Sequence, residues 1–350
     1  MRLDRRKFLL SQAPWCVDNL CFEENNLIIN GWAVPRHGFW DQVDFLCDGI
    51  KFDEVEYPKP RDDLLEVFPY WEDAGLMGFK CVLYGVQKAI NKSFWEFSCI
   101  SEGQQNLFHS YFYPYDFDKE QPIPYPQLRY QVHGSKNLSS FFLEGYSAVH
   151  KLEAILADHG KDSLRNCGPL LDWGCGCGRL TRFLDFPGLQ VHGADIVSES
   201  VKWCQNALSF GHFQVLPTKP PTKLNSDYYK TVIGVSVFTH LSEESQWLWL
   251  KELNRISVSG AILLLTVHGM HSAVRFGLTE ENFHKWQTDG FMDLGINHSL
   301  EGYSRDLGCY RDTLHTRSYI EERWKHWFEV LDVVEGVVGN HQDVVILVKR

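Results

Sequence analysis

The run Leu170-Leu171-Asp172-Trp173-Gly174-Cys175-Gly176-Cys177-Gly178 decides the fold. An apolar stretch breaks there into three glycines on alternate positions, then turns helical at Arg179-Leu180-Thr181-Arg182-Phe183-Leu184. A strand that ends in glycines and opens a helix brings bare backbone close to a ligand, because glycine tolerates positive φ and has no Cβ to block approach. The spacing narrows the choice of ligand. A dinucleotide fingerprint, Gly-x-Gly-x-x-Gly, needs glycine at position 179, where Arg179 stands. A phosphate loop needs Lys followed by Ser or Thr after its last glycine, and the chain has Arg179-Leu180. What remains is Gly-x-Gly-x-Gly followed by a second apolar stretch, Val191-His192-Gly193-Ala194-Asp195. Its terminal carboxylate lies where both hydroxyls of a ribose can be bound.

On these residues the chain resembles the class I S-adenosylmethionine-dependent methyltransferases, in particular a bacterial subset with an N-terminal β-sandwich-like domain. Leu171 to Arg179 resembles their first motif and Gly193-Ala194-Asp195-Ile196 their second. Tyr229 to Leu241 is similar to their fourth strand and the loop after it. Ser242 can cap the next helix, with Glu243 and Glu244 at the positive end of its dipole and Trp249, Leu250, Leu253 and Ile256 on its buried face. Gly260 to Val267 reads as a fully buried fifth strand, and the stretches 328–334 and 342–348 fit a closing hairpin. The resemblance covers roughly residues 140–350. It implies an α/β fold with a Rossmann-like seven-stranded sheet, S-adenosylmethionine as cofactor and S-adenosylhomocysteine as product. The cofactor contacts it implies are Asp172, Gly174, Cys175, Gly176, Gly178, Asp195, Ile196, Val235 and Ser236. Upstream, Arg129 could pair with the cofactor's carboxylate, or be a surface arginine beside a proline linker.

The 350 residues exceed one typical domain, and a 44% hydrophobic content supports a sizeable core. Residues 1–115 read as a small all-β sandwich. Strands are expected at Leu27–Val34 and Val43–Cys47, a hairpin turn at Asp48-Gly49, and a second turn at Glu102-Gly103 between Phe94–Ile100 and Leu107–Tyr113. Its tryptophans, Trp32, Trp40, Trp71 and Trp95, suit a core first, and a glycan or partner surface second. A homodimer through this domain, or a cover over the active site, is also open to it. Residues 116–139 form a linker in which Pro122, Pro124 and Pro126 bar regular structure up to about Gln127, and residues 140–350 form the methyltransferase domain. A helix over Phe141–Leu156 precedes the glycine strand. The stretch Asp4 to Leu10 is similar to a twin-arginine signal but lacks the apolar segment that must follow, so it reads as a surface tail.

A net charge of −11 disfavours a nucleic-acid groove, and no apolar run approaches the ~20 residues of a membrane span. The ten cysteines include no Cys-x-x-Cys pair, which fits a reducing cytoplasm; Cys175 and Cys177 read as small packing residues and no metal site is expected. Methyl transfer needs the acceptor in line with the breaking carbon–sulfur bond, and needs a base when the acceptor carries a proton. His240 and His268 follow strands four and five, where this class of sheet binds ligands, and are the candidate bases. About sixty residues separate His268 from the hairpin; those at 269–314 read as a substrate cap with a helix starting near Thr279. Tyr310, Arg311 and His315, similar to a Tyr-Arg and His pair of the bacterial subset, are candidate acceptor contacts, although Arg311 with Asp312 also fits a surface ion pair. His341-Gln342-Asp343 could order the end of the sheet. The segment 214–221 lacks the acid that many relatives place at the adenine amino group. The expected activity is transfer of a methyl group to a small-molecule or glycan-like acceptor, at oxygen. A noncatalytic binding protein on a methyltransferase-like scaffold is the alternative, and a nucleotide-dependent oxidoreductase fits the glycine spacing less well.

Overall fold

The computed structural model describes residues 4–88, 91–105, 107–115, 122–297 and 310–350. The stretch read as a surface tail is a helix, α1 (Arg5–Gln12), capped by the Asp4 side chain, which accepts from the Lys7 N–H. Phe8 and Leu9 hold it down: Phe8 meets the His271 ring edge-on at 5.1 Å, and Leu9 joins Trp32, Phe68 and Val274 in a buried cluster.

Two four-stranded antiparallel sheets follow. One has the order β1 (Trp15–Glu23), β2 (Asn26–Ala33), β6 (Gly78–Leu83), β5 (Glu54–Lys59); the other has β4 (Ile50–Lys51), β3 (Val43–Cys47), β7 (Phe94–Ser101), β8 (Tyr111–Pro114). A short helix, α2 (Leu64–Val67), lies between β5 and β6. Asp48 and Gly49, with φ of 51° and 79°, make the expected mirror turn between β3 and β4. The two sheets face each other through aromatic rings: Phe45 lies 4.4 Å from Phe79, and Trp15 meets Tyr111 edge-on at 5.2 Å. Trp32, Trp71 and Trp95 are buried, so they build core and offer no surface to a glycan. The last strand starts at Tyr111 and not at Leu107, because the His109 carbonyl is taken by the Trp15 indole N–H at 2.6 Å.

Pro126 starts a helix, α3 (Pro126–His133), where a barrier to regular structure was expected; at the first helical position the missing N–H is no loss. The expected helix over Phe141–Leu156 is α4 (Leu138–Asp158), capped by Asn137. It serves both parts of the chain. Its Ser147 hydroxyl exchanges hydrogen bonds with the backbone of Phe112 in β8 at 2.8 and 3.2 Å, while Leu152 and Ile155 share one core with Leu170, Ile233 and Leu264.

The larger sheet has the order β11 (Gly211–Val215), β10 (Val191–Asp195), β9 (Leu170–Trp173), β12 (Tyr229–Gly234), β13 (Ser257–His268), β17 (Gln342–Val348), β16 (Glu329–Val338). The first five run parallel, and β17 is antiparallel to both of its neighbours, as the closing hairpin requires. All four residues of β9 are buried, as a central strand covered on both faces must be. Helices α5 (Ser198–Ala207) and α6 (Glu243–Ile256) connect successive strands, α6 starting at the Ser242 cap. After Gly178 the chain makes only a 3-10 turn, Thr181–Phe183, and Pro187-Gly188 bars its extension. Beyond β13 come α7 (Met270–Arg275), α8 (Glu280–Asp289) with its Thr279 cap, β14 (Phe291–Ile296), β15 (Arg311–His315) and α9 (Arg317–Arg323). Part of the expected cap, 298–309, lies outside the described residues. Among the described residues no helix is long and apolar enough to cross a membrane.

A buried lysine ties the small sheets to the large one. Lys151 on α4 donates to the Val337 carbonyl at 3.0 Å and to Asn340 Oδ1 at 2.9 Å, and Asn340 Nδ2 donates to the Trp15 carbonyl at 2.7 Å. Burial pushes this ammonium down to about 7 from its ordinary 10.5. Between those two values the unfolded chain holds a proton that the folded chain has released, so this group makes stability rise with pH. Lys151→Met removes that term and strands two buried acceptors. Urea unfolding is expected to show wild type more stable than the variant at pH 6.5, by about 2 kcal/mol, with the gap wider at pH 9.

Candidate functional site

A cavity of about 440 Å³ opens at the carboxyl ends of β9, β10 and β12. The glycine loop forms its floor. Gly174, Gly176 and Gly178 have φ of 80°, 52° and 75°, where a side chain is strained. A Cβ on each would stand 2.3 Å from Val237, 2.5 Å from Val132 and 2.6 Å from Leu208 respectively. The loop is therefore bare partly because protein presses on it from three directions. On its open side Gly174, Cys175 and Gly176 line the cavity, whereas Gly178 is turned to Leu208 and does not.

Asp195 closes β10 beside the loop. One carboxylate oxygen accepts from the Gly176 N–H and the other from the Val197 N–H, both at 2.8 Å, and the Ile196 N–H adds a third backbone donor, which together aim the group. Burial nonetheless raises its pKa above the ordinary value. Asp172 is buried below it, accepts from the Thr181 hydroxyl and is pushed up to about 6, by burial first and by nearby Asp195. Ile196, Val235 and Ser236 also line the cavity, as do Leu216 and Thr218 from the segment that lacks an acid. Cys175 and Cys177 are packed thiols; burial pushes Cys177 up to about 12.

Arg129 lies off the cavity wall. Its guanidinium donates to the Pro124 carbonyl at 2.6 Å and to the Lys136 carbonyl at 2.7 and 3.1 Å, clamping the two ends of α3. The arginine that does reach the cavity is Arg179. Its Nη1 lies 3.3 Å from Glu144 Oε2, and its buried Nε has no hydrogen-bond partner among the described residues. Glu144 projects from α4 with His133 Nδ1 at 3.2 Å; against the penalty of burial, His133 and Arg179 hold its carboxyl down at about 2. Gly145 lets α4 come this close, since a Cβ there would stand 2.2 Å from the Arg179 carbonyl oxygen. The sequence signal for Glu144 is a charged residue inside an otherwise apolar helix face. Arg179 stood in the decisive motif but served there only to exclude a dinucleotide.

Opposite the loop, His240 lines the cavity from the 3-10 turn Phe238–His240, and Tyr310 stacks on its ring at 4.0 Å between centroids. His268 stands behind it, 6.0 Å away, buried and off the cavity wall; burial, reinforced by His341 and His240, pushes it well below the ordinary histidine value. The Arg311 side chain turns to Asp293 and only its carbonyl meets His240. His315 is buried against Gln246 Oε1 at 2.9 Å, and Gln246 in turn donates to the Phe238 and Leu241 carbonyls, so this histidine braces α6 and the His240 turn. His341 and Gln342 line the cavity; Gln342 bonds the Ser236 and Thr266 hydroxyls. Among the described residues no cluster of three His, Cys, Asp or Glu side chains is arranged to hold a metal.

Residues 171–265 match a family model described as a methyltransferase domain. Among solved structures, magnesium protoporphyrin IX methyltransferase from Synechocystis PCC 6803 with bound SAH is 18% identical, the match covering 64% of this chain and 94% of that one at a TM-score of 0.41. The 1,6-didemethyltoxoflavin-N1-methyltransferase from Burkholderia thailandensis is 17% identical, covering 68% and 99% at 0.40. No curated protein matches the chain. The matched segment runs from β9 into β13, the part that carries the glycine loop and Asp195, and the seven-stranded sheet built around it is Rossmann-like, closed by an antiparallel hairpin.

Gly176→Ala tests the loop. The added methyl meets Val132 and the backbone stays at positive φ, so denaturant unfolding is expected to show a loss of about 2–4 kcal/mol. Adding Val132→Ala should relieve the collision but leave the backbone strain, giving a favourable coupling of about 1 kcal/mol in a double-mutant cycle.

Proposed function

We propose that the chain is an S-adenosylmethionine-dependent methyltransferase acting on a small-molecule or glycan-like acceptor, at oxygen, in a reducing cytoplasm. The observation that carries this reading is the cavity that joins the bare loop at Gly174–Gly176 and the aimed carboxylate of Asp195 on one side to the His240 imidazole on the other. The donor set fits the cofactor. The aimed carboxylate of Asp195 suits the ribose hydroxyls, and Ile196 offers an apolar face to the adenine. Backbone near Leu216 and Thr218 can serve the adenine edge without an acid. The unpartnered buried Nε of Arg179 calls for an anion, and the cofactor's carboxylate is one; Glu144 beside it suits the ammonium. When bound, the cofactor supplies a methyl group activated on a sulfonium.

The chain's own residues then hold the acceptor in line, exclude water and accept a proton. His240 is the base in this reading, because it borders the cavity while His268 is shut behind it in its neutral form. Tyr310 packs the base and walls the acceptor side. The free thiols among the described residues support the compartment: nine cysteines, none paired.

In a thermal-shift assay S-adenosylhomocysteine at a hundredfold its Kd is expected to stabilise the protein by about 2.7 kcal/mol, with NADH silent. Asp195→Ala should abolish that stabilisation while the unliganded protein still melts cooperatively, and Arg179→Met should weaken binding about tenfold. Stabilisation by NADH alone, or full retention of binding in Asp195→Ala, would overturn the assignment.

A further inference from the structure

We infer that Asp312 is a positioning residue for His240, and that the acceptor atom is a hydroxyl oxygen that must give up its proton to the ring; the inference rests on the methyltransferase reading above. The His240 Nδ1 lies 2.9 Å from the carbonyl oxygen of Arg311 and 3.3 Å from Asp312 Oδ1. A carbonyl oxygen can only accept, so Nδ1 carries the hydrogen and Nε2 carries a lone pair. Asp312 is itself held, since Asn297 Nδ2 donates to both carboxylate oxygens at 3.0 Å. Its neighbour Arg311, the obvious partner on a surface, pairs with Asp293 instead. The ring has little freedom to turn: Tyr310 stacks on one face, and the Thr313 hydroxyl of β15 donates to the Phe238 and Thr239 carbonyls of the His240 turn at 3.1 and 3.2 Å.

Among the described groups packed against the ring, Asp312 on β15 supplies the negative charge. Tyr310 before β15 stays a neutral phenol because burial raises it, and His268 on β13 is neutral. Arg179 and Asp195 belong to the cofactor wall. A histidine with an oriented Nδ1–H, a carboxylate behind it and an Nε2 that meets no hydrogen-bond partner among the described residues is built to take a proton and to stabilise the resulting imidazolium. A thioether or a tertiary amine has no proton to give, and a neutral secondary amine can attack first and lose its proton to water afterwards. A thiol ionises in part by itself near neutral pH, so a hydroxyl is the acceptor that most needs the base during transfer. Its O–H bond breaks toward Nε2 as the oxygen takes the methyl group, the electron pair of the broken carbon–sulfur bond stays on sulfur, and the imidazolium passes its proton to water.

Nitrogen NMR of the histidine rings, assigned by loss of the His240 signals in His240→Gln, tests the dyad on the protein without cofactor. Wild type is expected in the Nδ1–H tautomer, and the Nε2–H tautomer would overturn the inference with no variant needed. Asp312→Asn should raise the ratio of Nε2–H to Nδ1–H forms about tenfold; an unchanged ratio would also overturn it. Acceptor class is read by supplying S-adenosylmethionine labelled in the methyl carbon to a pool of native small molecules. Label in a methoxy group supports the inference, and label on nitrogen or sulfur refutes it. Calorimetric binding of S-adenosylhomocysteine separates the two levels: failure to bind sinks the methyltransferase reading whatever the ring tautomer, whereas binding with the wrong tautomer sinks the dyad alone.

Discussion

A lysine ammonium taken out of water between two β-structures is the constraint on which the rest of the molecule depends. An unpartnered charge there would cost several kcal/mol, so every group around Lys151 has to be in place at once. The Val337 carbonyl, the Asn340 amide and the Tyr111 ring at 5.0 Å come from the closing hairpin and from the last strand of the small sheets. Asn340 adopts φ of 56° and reaches the Trp15 carbonyl, so the first strand of the chain and its last turn meet over one helix. Sandwich and large sheet therefore share a polar contact as well as an apolar core.

This coupling reaches the cavity within two residues. Asn340 is followed by His341 and Gln342, both on the cavity wall, and Gln342 bonds the Ser236 hydroxyl opposite. The N-terminal region thus supports this wall of the cavity through the hairpin turn. From the other side β15 pins the His240 turn through Thr313, and Tyr310, the residue before that strand, stacks on the ring. The far wall of the cavity is assembled from segments far apart in sequence, around a glycine loop and Asp195 that are close in sequence.

That division explains what could be read in advance. The parallel strands, the Ser242 and Thr279 caps, the Asp48-Gly49 turn and the role of the glycines follow from local rules of period, capping and backbone freedom. The place of Asp195 is legible for the same reason, since it ends its own strand. Arg129 is the arginine expected at the cofactor, and Arg179 lines the cavity instead, because which guanidinium stays available depends on the backbone carbonyls each meets after folding. His240 and His268 likewise follow adjacent strands, and only the packing of β15 puts one at the cavity and the other behind it. Pro126 misled because proline bars a helix from its interior but suits its first turn. The Phe8–His271 contact that seats α1 spans most of the chain, beyond any window of local pattern.

The three positive-φ glycines each face a different wall: Gly174 the turn after β12, Gly176 the helix α3, Gly178 the end of α5. Three separate bearing points locate a body without play, as a kinematic mount locates a lens. The loop is then the fixed datum of the cavity, and β15 seats the His240 turn opposite it. Variation in cavity size among proteins built this way would accumulate around β15 and the hairpin turn, while the loop kept its dimensions.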